Sequence, residues 1–227
     1  MIRKTVKKDE SLRDLIYFPI IFNVVGLSAI GLLYAVSPEY LADPGILNTV
    51  VLACLFLPWW LLASIVIRRL RRRNTSIKEF ILPKREFSPS LALLVFILLN
   101  VLFAVYMVIA LTCGRISPMT GLHSLQIVFF ILLVPVTAGF VEELIWRGYL
   151  IDKLLATGRS ETMAVLYSSI SFAFIHGFFS IDKLAVTFLF GIIAGAYYVR
   201  QRNLLVLMTA HVMVNMLGYG LTIFAFR

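Results

Sequence analysis

Seven apolar runs, at roughly 15–36, 46–67, 91–112, 124–150, 161–178, 183–199 and 204–226, divide the chain. A helix needs about 20 apolar residues to cross the hydrocarbon, and within lipid the backbone must satisfy its own polar groups. The runs therefore predict an all-α, polytopic membrane protein of about seven transmembrane helices. Composition agrees, since 60% of the 227 residues are hydrophobic and 15% charged, against about half and a quarter in a soluble domain. Turn-rich stretches such as "SPEYLADPG", "CGRISPMTG" and "RQRN" separate the runs. The first is too long for the core of a cleaved signal peptide and reads as a retained anchor. The fourth is long for a simple span and contains Pro135 and Gly139, so a kink or an extension past the membrane is expected there. No internal repeat or low-complexity linker interrupts the chain, which predicts one structural domain: three N-terminal helices with a basic cytoplasmic loop over 1–123, and a core of four helices over 124–227.

The formal net charge is +9, which would suit nucleic acid if the basic residues were spread along one surface. They are not. With the N-terminus cytoplasmic, 18 of the 21 Lys and Arg fall on the cytoplasmic side, leaving Arg115, Lys183 and Arg227 outside. Such a bias is the signature of membrane orientation, so the basic excess reports topology and no nucleic-acid partner is expected. The run "RRLRRR" at 68–73 reads as a solvated anchor beside anionic headgroups. Cys54 and Cys113 form no disulfide or metal-type spacing and read as small packing residues.

Against this background, "AGFVEELIWRGYL" at 138–150 is anomalous. Ionisable residues at membrane depth are costly and are functional candidates by default. Residues four apart share a helix face, so Glu143 and Arg147 are placed to pair, whereas Glu142 points elsewhere and has no arginine four residues on. "FAFIH" gives the same spacing to Phe172 and His176, and "HVMVN" to His211 and Asn215. His123, in an outer loop, reads as a surface residue. Any one of these groups alone would be ordinary interhelical hydrogen-bonding glue, but two glutamates, an arginine, two histidines and an asparagine on three runs favour chemistry. A carboxylate sheltered from water can act as a general base, an imidazole can hold the same water, and a second imidazole with an amide can stabilise an oxyanion. No Ser or Cys lies in a recognised nucleophile motif; Ser168, Ser169 and Ser171 suit helix contacts. The zinc motif HExxH is absent, although a glutamate with two histidines remains a set that a metal could use.

In order and spacing, "EELIWRG" (142–148), "FAFIH" (172–176) and "HVMVN" (211–215) resemble the EExxxR, FxxxH and HxxxN motifs of the CAAX protease and bacteriocin-processing family of intramembrane proteases. The resemblance covers about residues 124–220. It implies a glutamate-type endopeptidase with a conical catalytic cavity between the later helices and with no metal and no cofactor. Glu142 would activate water, His176 would orient it, and His211 with Asn215 would form the oxyanion site. Glu143 and Arg147 would be a supporting pair, and Phe172 a packing wall. The expected partners are the lipid bilayer and a peptide or membrane-protein substrate, lipidated in the CAAX-type members. A bacterial or archaeal cell membrane is expected, with the cavity open toward the cytosol. The family also contains bacteriocin self-immunity proteins and non-catalytic scaffolds, which are the alternative readings; a carrier would be expected to show repeated halves. His176 fits this picture least well. At ~1.5 Å per residue it lies roughly 22 Å from the cytoplasmic end of its run, against roughly 12 Å for Glu142 and roughly 10 Å for His211. The fifth helix is therefore expected to begin outside the bilayer or after Glu161.

Overall fold

The computed structural model describes residues 8–36, 38, 44–82, 87–116, 119–176 and 180–224. Arg3, Lys4, Lys7, Lys84, Arg85 and Arg227, used above for orientation, lie outside them. The described residues are helical, with no strand: α1 (Lys8–Val36), α2 (Pro44–Arg72), α3 (Ile77–Ile81) and α4 (Pro89–Thr112), then α5 (Ser124–Ala156), α6 (Glu161–Phe174), α7 (Ile181–Gln201) and α8 (Leu204–Phe224). Local chemistry sets several boundaries. The Ser88 and Ser160 hydroxyls cap α4 and α6 by accepting from Leu91 N and Met163 N, and Pro89 sits where a missing N–H costs nothing.

Six helices, α1, α2, α4, α5, α7 and α8, are long and apolar enough to cross a membrane. The fifth apolar run falls short of the expected seventh span. As α6 it has 14 residues, about 21 Å at 1.5 Å per residue, and is packed within the bundle against α7, α5 and α1. The helix ends at Phe174, and His176 lies on the turn after it, with its N–H donating to Ala173 O at 3.0 Å. The outer faces are strongly apolar; on α4 alone Leu93, Leu94, Val101 and Val105 are all more than half exposed. A continuous apolar exterior of this kind suits lipid rather than water.

α5 runs past the expected end at 150 to Ala156 without breaking. Over 129–133 and 143–151 it widens into π-turns. The first lies just before Pro135, whose ring would collide with a carbonyl one α-turn earlier. The second carries Glu143 and Arg147, and the Trp146 carbonyl within it accepts from the Ser168 hydroxyl at 2.5 Å. Gly139 does not kink the helix but permits a close approach: a Cβ there would stand 2.7 Å from Val212 Cγ2 and 2.9 Å from Val212 N of α8. Small residues at membrane-helix contacts serve this purpose.

Polar contacts identify the two ends of the bundle. At one end Asp14 of α1 accepts from Arg69 of α2 (2.5 Å) and from Lys153 (2.6 Å) and Tyr149 (3.1 Å) of α5. At the same end Ser88 N, at the start of α4, donates to Gln201 Oε1 at the end of α7 (3.0 Å). At the other end Arg115, after α4, pairs with Asp182 in the first turn of α7 (2.9 Å). There Met119 N also donates to Thr222 O of α8 (2.8 Å). Thus α1, α4, α6 and α8 run toward the Arg115 end, and α2, α5 and α7 run away from it.

Candidate active site

The close approach at Gly139 brings α8 against the charged turn of α5. Glu143, fully buried, accepts at a single oxygen, Oε1, from two donors: Arg147 Nη1 at 2.9 Å and His211 Nδ1 at 2.8 Å. A carboxylate only accepts, so Nδ1 carries the hydrogen and Nε2 is the ring nitrogen left for other work. The Arg147 guanidinium lies over the Phe172 ring, 4.1 Å from its centroid, and 5.3 Å from that of Phe190. It is therefore held between a carboxylate and two aromatic faces. The predicted i, i+4 pair exists, and it does more than expected, because Glu143 also fixes the orientation of His211.

Glu142 has a separate set of neighbours. Its Oε1 accepts from Trp59 Nε1 of α2 at 2.8 Å, whereas its Oε2 has no hydrogen-bond partner among the described residues. His211 Nε2 stands 3.7 Å from that oxygen, beyond a normal hydrogen bond. Glu142 thus has one oxygen held by Trp59 and the other without a partner among the described residues. Trp59 is 4% exposed while its neighbour Trp60 is 57% exposed, the pattern of one ring facing inward and the next facing lipid.

Glu142, His176, His211 and Asn215 line one cavity of about 940 Å³. Phe172 lines it too and meets both imidazoles edge-on, with centroids 4.8 Å from His176 and 6.0 Å from His211. His176 Nδ1 lies 3.1 Å from the Phe172 carbonyl, so that nitrogen carries its hydrogen and Nε2 is left without that bond. Asn215 is half-buried, one turn beyond His211. Glu143 and Arg147 lie behind the wall rather than in it. Among the described residues, no group of three His, Cys, Asp or Glu side chains is arranged to hold a metal ion.

Two features differ from expectation. The cavity is not confined to the later helices, because α1, α2 and α4 line it as well. It also spreads toward Arg115, Asp182 and Lys183, all three of which line it. That is the end opposite the basic loops, so a cytoplasmic N-terminus and a cavity open to the cytosol cannot both hold in this fold. Sequence reasoning missed Trp59 and the placement of Lys183 in the cavity. It also missed the Asp14–Lys153 contact, because partners on different helices leave no periodic trace.

Serine hydroxyls complete the surroundings. Ser171 donates across to Leu15 O of α1, in keeping with its reading as a helix-contact residue, whereas Ser169 donates within its own helix to Val165 O. Residues 124–217 match the family model described as type II CAAX prenyl endopeptidase Rce1-like. Neither the curated proteins nor the solved structures yield a match. The matched segment contains all three motifs and the four cavity-lining polar residues, and it points to a protease embedded in a membrane. Over this segment, which is less than half of its 227 residues, the chain is similar to the Rce1-like family of type II CAAX prenyl endopeptidases.

Proposed function

We propose that the protein is an intramembrane endopeptidase in which Glu142 activates water without a metal. The observation that supports this reading most directly is the convergence on one cavity of Glu142 from α5, His176 from the turn after α6, and His211 and Asn215 from α8. Trp59 holds Glu142 Oε1, which leaves Oε2, buried and without a hydrogen-bond partner among the described residues, to serve as the base. In the reaction, Oε2 takes a proton from a water that His176 helps to position, and the water oxygen bonds to the carbonyl carbon of the substrate. The carbonyl oxygen becomes an oxyanion that Asn215 and the Nε2–H of a doubly protonated His211 ring, whose Nδ1–H stays on Glu143, stabilise by donating hydrogen bonds. The C–N bond then breaks as Glu142 returns the proton to the leaving nitrogen, giving a carboxylic acid and an amine. Glu143 and Arg147 position His211 and touch no reacting atom.

The proposed substrates are peptides or membrane-associated proteins. A comparison of protein termini in membranes carrying wild type or Glu142→Ala tests the assignment. A set of termini present only with wild type is expected. Identical sets at equal expression would refute the reading.

A further inference from the structure

We infer that the cavity opens to the face of the membrane opposite the basic loops, so the bond to be cut is presented from the extracytoplasmic side. The direction of opening stands on geometry and charge alone; that the occupant is a substrate rests on the proteolytic reading.

The geometry is consistent across every helix that lines the cavity. On the helices running toward the Arg115 end, the lining residues begin at Phe22 on α1, Phe103 on α4, Phe172 on α6 and His211 on α8. On the helices running the other way they end at Trp59 on α2, Glu142 on α5 and Phe190 on α7. All seven helices therefore contribute mainly the part nearer Arg115 and Asp182, with Trp59, Glu142 and His211, a little past their helix midpoints, as the deepest lining residues. The rest is packed shut. Below Glu142, Trp146 and Leu150 are fully buried and Arg147 is 1% exposed, and below them Asp14 ties α1, α2 and α5 together through Arg69, Tyr149 and Lys153. Because α5 continues to Ala156, Glu142 lies about 21 Å from the closed end at 1.5 Å per residue.

Charge assigns the two ends to the two faces. The closed end carries Arg68, Arg69, Arg71, Arg72, Arg73 and Lys78, together with the basic residues after α5 and α7. The open end has Arg115 and Lys183 within its described segments, and Arg115 is paired with Asp182. Loops rich in Lys and Arg are retained in the cytoplasm, so the closed end is cytoplasmic. Glu142 Oε2 is then reached by a segment that has already crossed the bilayer or is anchored in its outer half. Lys183 and the Arg115–Asp182 pair would be the first polar groups that segment meets.

The chain contains its own reporter. Of its two cysteines, Cys54 is buried, and Cys113 is exposed two residues before Arg115. In spheroplasts of a bacterial host expressing the full chain, a membrane-impermeant maleimide is expected to label wild type without permeabilisation, and Cys113→Ser is expected to abolish the label. A cysteine introduced by Ser76→Cys in the Cys113→Ser background, at the closed end, should label only after permeabilisation. The reverse pattern would overturn the inference. In a second arm, Lys183→Cys in the same background is treated on intact spheroplasts with an impermeant charged thiol reagent. A drop of tenfold or more in Glu142-dependent cleavage is expected, and unchanged cleavage after complete modification would count against access from this face. The expected labelling pattern without any Glu142-dependent product would leave the direction standing and remove the proteolytic reading.

Discussion

Glu142 and Glu143 are adjacent in sequence and chemically distinct because their contacts divide them. Glu143 is saturated at one oxygen by Arg147 and His211, whereas Glu142 has one oxygen held by Trp59 and one open. The Glu143–Arg147 pair was legible in the sequence because four residues is a helical repeat. The bond from Trp59 was not, since it joins residues 83 apart and nothing in "PWW" tells which indole turns inward. His211 was legible as a site residue, but its anchoring by Glu143 was not. If Trp59 fixes the reacting carboxylate, Trp59→Phe, which keeps an aromatic ring but loses the indole N–H with the pyrrole part of the indole, should weaken the reaction. A hydrogen bond to a charged group contributes about 1.5–3 kcal/mol. The expected result is therefore a fall of about tenfold or more in kcat, with KM near wild type, measured on a peptide cleaved in a Glu142-dependent way. An unchanged kcat would remove Trp59 from the machinery.

At the scale of elements, apolar length located the spanning helices to within a few residues, since the cost of exposing backbone in lipid leaves few alternatives. It overcounted by one. α6 is as apolar as a span but ends at Phe174, which places His176 on the turn after it, and the continuation of α5 to Ala156 brings the depth of Glu142 close to that of His176. The π-turns of α5 were also hidden, because they depend on packing and on the Ser168 hydroxyl rather than on composition. Gly139 was visible as a break and proved to be a contact. Adding one methyl there meets Val212 N and Met208 O at 2.9 and 3.1 Å, and backbone atoms cannot swing aside. Gly139→Ala is expected to shift α8, which carries His211 and Asn215, and to lower stability by about 1–3 kcal/mol. Gly31→Ala, where a Cβ meets nothing within 4 Å, is the control that should leave thermal unfolding in detergent near wild type. Equal Tm values for the two variants would contradict the close-packing reading.

For the molecule as a whole, the three motifs located the candidate site, and the charge bias supplied an orientation. Their relation emerged only when the helices were assembled. One-dimensional depth counts along separate spans cannot show which half of a bundle is hollow. The fold leaves the half toward Arg115 open and seals the other with buried aromatics and the Asp14 contacts. It places a carboxylate with one unpartnered oxygen at the floor of that space. General-base catalysis contributes about 10²–10⁴-fold in rate, which sets the scale for a direct assay. Purified wild type and Glu142→Gln are compared on a library of quenched fluorescent peptides, in detergent or bilayers, with and without a strong chelator. Cleavage by wild type that persists in chelator and falls by about 10²-fold or more in Glu142→Gln is the predicted result. Cleavage by Glu142→Gln at the wild-type rate, or loss of wild-type activity on chelation restored by added metal, would contradict it.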